Sequence, residues 1–233
     1  MFSVYAQQIN NELNLNPMTL VKTKPFCLLL LFFSTFFVSA QTDKFNRFSV
    51  ELTTGIHVPL APNHGISRSK YIAFKQFQLS GRYMFTEKFG LKGHYAFNRF
   101  ANPKDSDMGV TFNRVGLEGV ANVGKLLNVG FHLRERFGLL FHTGAGITFA
   151  SPTGANATEH IGNILVGFTG QIKLDENFTL LGDLTYVANL KQQYGYNGEL
   201  INANFDPEPG SFVNLSIGIM YHFGQEKYHA DWY

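Results

Sequence analysis

The chain of 233 residues carries 19 basic and 17 acidic side chains, a net charge of +2, together with 24 phenylalanines and 23 glycines. This near-neutral balance gives no basis for binding nucleic acid, which requires a concentrated basic surface. The single cysteine, Cys27, excludes an intramolecular disulfide.

The N-terminal segment has the pattern of an export signal. An almost purely apolar run over residues 26–38 follows Lys22 and Lys24 and leads into small residues ending at Ala40. A basic start, a short apolar stretch and a small-residue cleavage site define a secretory signal peptide. The run is shorter than the roughly 17–25 residues of a transmembrane helix. We therefore expect a signal peptide over residues 18–40, cleaved after its last residue.

Residues 1–17 precede Met18, a start that gives a signal of ordinary length. We expect them to be an upstream extension, and the alternative is an unusually long basic region of the signal. Removing residues 1–40 leaves 193 residues, with 17 basic and 16 acidic side chains and no cysteine. That is the size of one domain. We expect a barrel over residues 41–223 and a short tail over 224–233.

The rest of the chain repeats one pattern, a run in which apolar and polar residues alternate, followed by a turn. Alternation with a period of two is typical of a strand whose two faces meet different environments. Eight such runs are present. They lie at 48–58, 76–85, 91–98, 114–123, 139–149, 163–173, 178–189 and 213–223.

Seven charged residues occur in the middle of these runs. All of them occupy the alternate positions that form the polar face of their run, that is, they share its parity. They are Glu51, Arg82, Lys92, Arg114, Glu118, Lys173 and Asp183. A Lys or Arg that faces lipid at the midplane costs about 2–4 kcal/mol, so a membrane barrel is expected to keep charge off its outer face. A soluble sandwich or lipocalin-like barrel would also keep charge out of its core, and charge placement alone leaves this alternative open.

Two further features favour the membrane barrel. Aromatic residues gather at the ends of the runs, as they do at membrane interfaces. The connections also differ in length: those at 86–88 and 174–177 are tight, whereas four others are longer. The longer ones are predicted at 61–70, 101–110, 151–162 and 191–211. Short turns at one end and long loops at the other are expected of an outer-membrane barrel.

The segment 124–136 fits the pattern least well. It could form a short helix near the rim, with Leu126, Leu127 and Phe131 packed against the barrel. It could also pair as strand and raise the count to ten. We expect eight strands, with both termini in the periplasm.

Three segments carry a family resemblance: 91–97, 141–146 and the closing run 215–223. They resemble the small eight-stranded barrels of the outer membrane protein A and X type, in the "outer membrane protein beta-barrel" form common in Bacteroidetes. The resemblance covers about 48–223. It implies an all-β, transmembrane, antiparallel up-and-down barrel in the Gram-negative outer membrane, in contact with lipid and lipopolysaccharide.

The closing run also resembles the signal that the barrel assembly machinery reads, through Ile219, Tyr221 and the terminal Phe223. The chain departs from the family by continuing for ten residues, 224–233, beyond that aromatic residue. Larger relatives carry a peptidoglycan-binding domain there, and this tail is too short for one. The resemblance therefore implies no anchoring role.

The inward charges predict a filled interior. An eight-stranded barrel is just wide enough for side chains to fill, and buried charges must be paired. We expect a salt-bridge network centred on Glu51, Arg82, Arg114 and Glu118 that plugs the lumen and serves structure rather than gating.

No pattern predicts catalysis. His94, His142 and His222 have inward parity, but no serine stands at a matching motif spacing. We therefore expect no catalytic, cofactor or metal site. Two acidic pairs in loops could hold calcium but lack a full ligand set. These pairs are Asp105 with Asp107 and Asp206 with Glu208.

The predicted function is a structural or surface-interaction barrel. A narrow porin-like channel for small solutes or ions is the first alternative, and a lipid-modifying outer-membrane enzyme is the second. The longest loop, 191–211, carries Tyr194, Tyr196 and Phe205. Exposed aromatic side chains on a long loop can contact partners, and they can equally fold back over the barrel mouth.

Overall fold

The computed structural model describes residues 45–63, 67–102, 105–155, 157–204 and 206–233, without the side chains of 105–107 and 131. The predicted signal peptide at 18–40 and the predicted extension at 1–17 lie outside the described residues.

Eight antiparallel strands follow one another around a closed barrel, each pairing with its sequence neighbour, and the last pairs with the first. The predicted eight-stranded up-and-down barrel is therefore confirmed. The strands are β1 (Phe48–Ala61), β2 (Ala73–Met84), β3 (Phe89–Asn102), β4 (Asp105–Asn122), β5 (Phe137–Pro152), β6 (Glu159–Lys173), β7 (Phe178–Gln192) and β8 (Glu208–Phe223).

The barrel closes between β1 and β8 over almost their whole length. Phe48 pairs with Phe223 at one end, and the register continues through Leu52 opposite Ile219. Because the strands alternate in direction and their number is even, the start of β1 and the end of β8 lie at the same end of the barrel. The tight connections at 85–88 and 174–177 lie at that end too.

The burial of side chains alternates along every strand, as the sequence pattern predicts. Outward positions are mostly apolar and stay exposed: Leu52 is 50% and Ile217 63% exposed. Inward positions are mostly polar and are buried. A closed barrel that exposes so much apolar surface is unfavourable in water and is stabilised in hydrocarbon. Every strand has at least 12 residues, which exceeds the roughly 9–11 needed to cross a bilayer.

The helices of the described residues are all short. None of them has the length and apolar character needed to span a membrane, a result that concerns helices and says nothing about strands.

The segment 124–136 contains two one-turn helices joined by turns and no strand, so the ten-strand alternative is wrong. It contains α1 (Val123–Leu126) and α2 (Phe131–Arg134). Asn122 caps α1, since its side-chain oxygen accepts from the Lys125 N–H at 3.1 Å.

Two of the predicted long connections are shorter than expected. The sequence pattern predicts a long loop at 101–110, but β3 continues to Asn102 and β4 begins at Asp105. The connection between β5 and β6 spans only 153–158. In both places the ladder continues beyond the alternating run because inward positions near the barrel mouth are apolar, as at Phe100, Val110 and Ile161, which removes the alternation but not the backbone pairing. The connections at 62–72 and 193–207 are long, as predicted.

Candidate functional site: the occupied lumen

The floor of the lumen is built by the C-terminal tail, residues 224–233, which follows β8. Asn46 holds this tail in place through the backbone. Its N–H donates to the Tyr228 carbonyl at 2.8 Å, and its own carbonyl accepts from the Ala230 N–H at 2.9 Å. The chain then turns inward, so that residues 229–231 are buried. The tail is therefore part of the packed interior.

Arg82 joins the tail to the barrel wall. Its Nη1 and Nη2 donate to Asp231 Oδ1 and Oδ2 at 2.9 and 2.5 Å, and its Nε lies 3.2 Å from Glu51 Oε1. Gln171 Nε2 donates to Asp231 Oδ2 at 2.9 Å. Paired, charge-assisted hydrogen bonds of this kind are the strongest that proteins form. Burial opposes ionisation of Asp231, but Arg82 holds the pKa of this tail carboxyl well below its ordinary value.

The middle of the lumen is a chain of charged groups centred on Glu118. Lys92 Nζ lies 3.4 Å from Glu118 Oε1, and His94 Nδ1 lies 2.9 Å from the same oxygen. His142 Nδ1 lies 2.6 Å from Glu118 Oε2, while its Nε2 lies 3.0 Å from Asp183 Oδ2. All five residues are at most 7% exposed. One imidazole thus bridges two carboxylates in the centre of the barrel.

Two inward glycines leave room for these imidazoles. Gly167 pairs with His142 across β5 and β6. A Cβ at Gly167 would lie 2.6 Å from the His142 ring, and a Cβ at Gly116 would lie 2.5 Å from the His94 ring. A larger residue at either position would displace the histidine that contacts Glu118.

The cap of the lumen is aromatic. It consists of His57, Phe100, Phe112, Tyr196 and Phe212, all completely buried. The Phe100 ring centre lies 4.1 Å from that of His57 and 4.6–5.3 Å from those of Phe112, Tyr196 and Phe212. The last three distances are within the range of stabilising aromatic pairs.

Tyr196 reaches the cap from the longest loop, which folds back over the barrel mouth. Its hydroxyl lies 2.7 Å from the Ser211 carbonyl and 3.0 Å from that of Ala61. Burial raises the pKa of Tyr196 above its ordinary value, so the hydroxyl remains a donor. Phe205 of the same loop lies outside the described residues.

Arg114 lies between the middle and the cap. Its Nε is 3.5 Å from His94 Nε2, and its guanidinium carbon is 5.7 Å from the Phe212 ring centre. Among the described residues, Nη1 and Nη2 of Arg114 have no hydrogen-bond partner. Within the same residues, Arg114 forms no ion pair with a carboxylate, and the cation that pairs with Glu118 is Lys92. The structure therefore does not place Arg114 in direct contact with Glu118.

Lys173 lies at the rim of the floor and not inside the lumen. Its Nζ is 3.0 Å from Glu176 Oε2 and 5.1 Å from the Tyr228 ring centre. The predicted single network is thus divided into a floor cluster around Arg82 and a middle cluster around Glu118, with Lys173 outside both.

The residues that sequence analysis missed come mainly from the tail. Asp231 binds Arg82, and His229 packs beside His222 with ring centres 4.2 Å apart. Period-two parity gives no information about a segment after the last strand. The composition of the tail could nevertheless have indicated that it is buried. Residues 228–233 include three aromatic side chains, a histidine and an aspartate, whereas an ordinary solvated tail has few aromatic residues.

The predicted assembly signal lies on the outer surface of β8. Ile219, Tyr221 and Phe223 are 36–50% exposed, and the Tyr221 and Phe223 ring centres are 4.6 Å apart. Their recognition by the assembly machinery stays a prediction.

Of the two acidic pairs in the loops, only Asp206 with Glu208 has side chains among the described residues. Asp206 uses its backbone to bind Asn202, and it joins no cluster of potential ligands. The side chains of Asp105 and Asp107 lie outside the described residues.

Comparison with known proteins shows the fold. No protein-family model matches the chain, and no curated protein sequence matches it significantly. Among solved structures, Neisserial surface protein A is similar, with 13% identity, a TM-score of 0.52, and coverage of 76% of this chain and 97% of that one. A major outer membrane protein from Thermus thermophilus is also similar, with 13% identity, a TM-score of 0.51, and coverage of 76% and 98%. This chain therefore has the closed-barrel fold seen in both of those proteins.

Proposed function

We propose that this protein is an integral outer-membrane β-barrel with a plugged lumen, which serves a structural or surface-interaction role and neither transports solutes nor catalyses a reaction. The observation that carries this proposal is the occupied lumen, with a tail floor, a charged middle and an aromatic cap.

The outer surface supports placement in a membrane. Its exposed apolar side chains belong to all eight strands, and the inward faces hold the charged groups. A soluble barrel would show the opposite arrangement, with its apolar face inside and its charged face in water. The export signal expected at 18–40 directs such a chain out of the cytoplasm.

The arrangement of the two ends supports an orientation. The chain enters and leaves the barrel at the end that carries the four-residue connections 85–88 and 174–177 and the helical connection 123–136, and the two long connections without a strand or an α-helix, 62–72 and 193–207, lie at the other end. In outer-membrane barrels short turns face the periplasm and long loops face outward. We therefore propose periplasmic termini, and contact of the outer end with lipopolysaccharide and surface ligands. The barrel assembly machinery would act on the closing strand.

The filled lumen argues against a channel. Arg82, Phe100 and Tyr196 are each at most 1% exposed, at opposite ends of the lumen. A conducting path would have to displace the Arg82–Asp231 pair at the floor and the packed rings of the cap.

The histidine geometry argues against an enzyme. A general base must have a free lone pair near a nucleophile. Both His142 nitrogens face carboxylates, which can only accept hydrogen bonds when ionised. Asp183 also accepts from the hydroxyls of Thr169 and Thr185, at 2.7 and 2.6 Å. This cluster therefore suits structural pairing.

Planar bilayer recordings test the proposal. The native protein should insert and give no stable single-channel current. A variant with Phe100→Ala and Tyr196→Ala should remain closed at the middle, because the Glu118 cluster is unchanged. Large, stable conductance from the native protein would contradict the plugged lumen. Recovery of the native protein in the soluble fraction, with no heat-dependent shift in gel mobility, would contradict the membrane barrel.

A further inference from the structure

Two outward glycines make a depression in the apolar surface of the barrel. Gly170 of β6 and Gly182 of β7 lie opposite each other on neighbouring strands. A Cβ at Gly182 would meet no atom within 4 Å, and a Cβ at Gly170 would meet only a backbone oxygen at 3.7 Å. The depression belongs to a groove of about 390 Å³, which is flanked by the exposed side chains of Phe137, Ile172, Leu180 and Ile217. The groove therefore faces hydrocarbon and suits a flexible apolar chain.

A larger cleft adjoins this groove at the rim of the barrel. The cleft has a volume of about 720 Å³ and shares Phe137 and Ile172 with the groove. The connection 174–177 lines one side of it, and the tail contributes Tyr228 and Trp232. Tyrosine and tryptophan are enriched where membrane proteins meet the interface. The two cavities together therefore join an apolar environment to a polar one, as a lipid molecule requires.

Most charged groups of the cleft already have a partner. Lys173 Nζ lies 3.0 Å from Glu176 Oε2. Asp175 Oδ1 accepts from the backbone N–H groups of Asn177 and Phe178, at 2.7 Å each. These three charged groups therefore need no ligand.

The two remaining charged side chains of the cleft are one cation and one anion, Arg136 and Glu135, both exposed. Among the described residues, neither side chain forms a hydrogen bond or an ion pair. The Arg136 carbonyl accepts from the Lys173 N–H at 2.8 Å, which fixes the backbone beside the end of β6. A guanidinium binds a phosphate through paired hydrogen bonds, and a carboxylate accepts from a primary ammonium. The two charges therefore complement a headgroup that carries both a phosphate and an ammonium.

We propose that the groove and the cleft bind one phospholipid with an ethanolamine headgroup, at the periplasmic end of the barrel. Arg136 holds the phosphate, Glu135 accepts from the ammonium, and one acyl chain lies in the groove over Gly170 and Gly182. A choline headgroup fits less well, because it has no N–H to donate to a carboxylate. The proposal rests on the membrane placement proposed above. It does not depend on the plugged lumen, because the site lies on the outer surface and the rim.

Native mass spectrometry of the barrel in detergent measures this binding. The protein is titrated with phosphatidylethanolamine, phosphatidylglycerol or phosphatidylcholine of the same acyl chains, after heat-dependent gel mobility has verified that it is folded. We expect one tightly held phosphatidylethanolamine per chain. The other two lipids should bind about fivefold more weakly, because neither has an ammonium that can donate to Glu135, and an exposed ion pair contributes on this scale.

Gly182→Leu tests the groove, because the new side chain takes the place of the acyl chain. It should weaken phospholipid binding at least about fivefold, through the loss of several contacts between the chain and the wall. Gly93→Leu is the matched control and should bind like the native protein. Gly93 faces Gly81 across β2 and β3, a Cβ there would also meet no atom within 4 Å, and it does not line the groove.

Two substitutions in the cleft test the headgroup. Arg136→Gln should weaken all three phospholipids about fivefold, since each carries a phosphate. Glu135→Gln should remove the preference for phosphatidylethanolamine and leave the other two lipids unchanged. Lys88→Gln, which changes an exposed basic residue at the same end of the barrel, is the control and should bind like the native protein.

The outcomes separate the site from the membrane placement. If the folded native barrel retained no phospholipid, or bound it no better than Gly182→Leu, the site would be wrong. Equal binding of the three lipids by the native protein would overturn the ethanolamine headgroup, and a dimer formed in place of a lipid-bound monomer would overturn the lipid as the occupant. Recovery of a soluble protein without a heat-dependent mobility shift would instead contradict the membrane placement.

Discussion

The floor and the middle of the lumen bury charge in different ways. In the middle, every partner of Glu118 belongs to the barrel wall, on strands β3 and β5. At the floor, Arg82 of the wall binds Asp231 of the tail, 149 positions along the chain. The middle is therefore complete once the barrel has closed, whereas the floor depends on a separate step in which the tail docks.

The largest effect is expected from Arg82→Met. This change leaves the buried carboxylates of Glu51 and Asp231 without their cation, and loss of one partner of a buried ion pair costs about 3–5 kcal/mol. Denaturant unfolding in detergent or lipid, followed by heat-dependent gel mobility, measures the effect. Lys191→Met, at an exposed position of β7, is the control and should change stability by less than about 0.5 kcal/mol.

Phe100→Ala should have the next largest effect, because it opens a cavity in the cap. Phe100 contacts four aromatic neighbours and is completely buried. Removing such a ring costs about 3 kcal/mol or more. Phe74→Ala, at a 63% exposed position of β2, removes the same atoms from the outer surface. If the two variants lost the same free energy of unfolding, the cap would not be tightly packed.

Asp231→Asn tests the floor by itself. It removes charge-assisted hydrogen bonds worth about 2 kcal/mol at neutral pH, and it should release the tail without opening the barrel. Because the pKa of Asp231 is lowered in the folded protein, its contribution is present above the unfolded pKa of about 3.9 and is lost as the pH falls through the folded value. The difference between native protein and variant should therefore persist at pH 5 and shrink only in strong acid.

Proteolysis of the tail provides the measurement for this variant. Residues 224–233 should be cleaved faster in Asp231→Asn than in the native protein at pH 7. Equal cleavage rates would show that Asp231 does not hold the tail.

The smallest effect is expected from Lys173→Met. Its partner Glu176 has a side chain that is 47% exposed, and exposed ion pairs contribute at most about 1 kcal/mol. A loss comparable to that of Arg82→Met would contradict the placement of Lys173 at the rim.

Sequence periodicity was sufficient to predict the wall of the barrel. Parity assigns each strand residue to a face, because successive side chains point to opposite sides. Six of the seven charges with inward parity are buried. Lys173 differs because it is the last residue of β6, where an inward side chain reaches the rim and not the lumen.

Parity could not predict which side chains meet inside. Partners depend on height within the barrel and on the reach of each side chain across it. Arg114 and Glu118 share a strand and a face, but they lie four residues apart, and Arg114 extends towards Phe212 on the opposite wall. The tail contributes Asp231 from outside the repeating pattern. The sequence pattern therefore predicts that the lumen is polar. It does not predict that the charged residues divide into a floor cluster around Arg82 and a middle cluster around Glu118.

Labelling of single cysteines tests the plugged barrel most directly. The sequence has one cysteine, Cys27, so a Cys27→Ser background allows a single probe at Ser216, which faces the lumen, or at Leu215, which faces outward and is 51% exposed. In intact outer membranes, Leu215→Cys should react only with a membrane-soluble maleimide, and Ser216→Cys with neither a membrane-soluble nor a water-soluble one. Rapid reaction of Ser216→Cys with the water-soluble reagent would show an open, hydrated lumen and contradict the account.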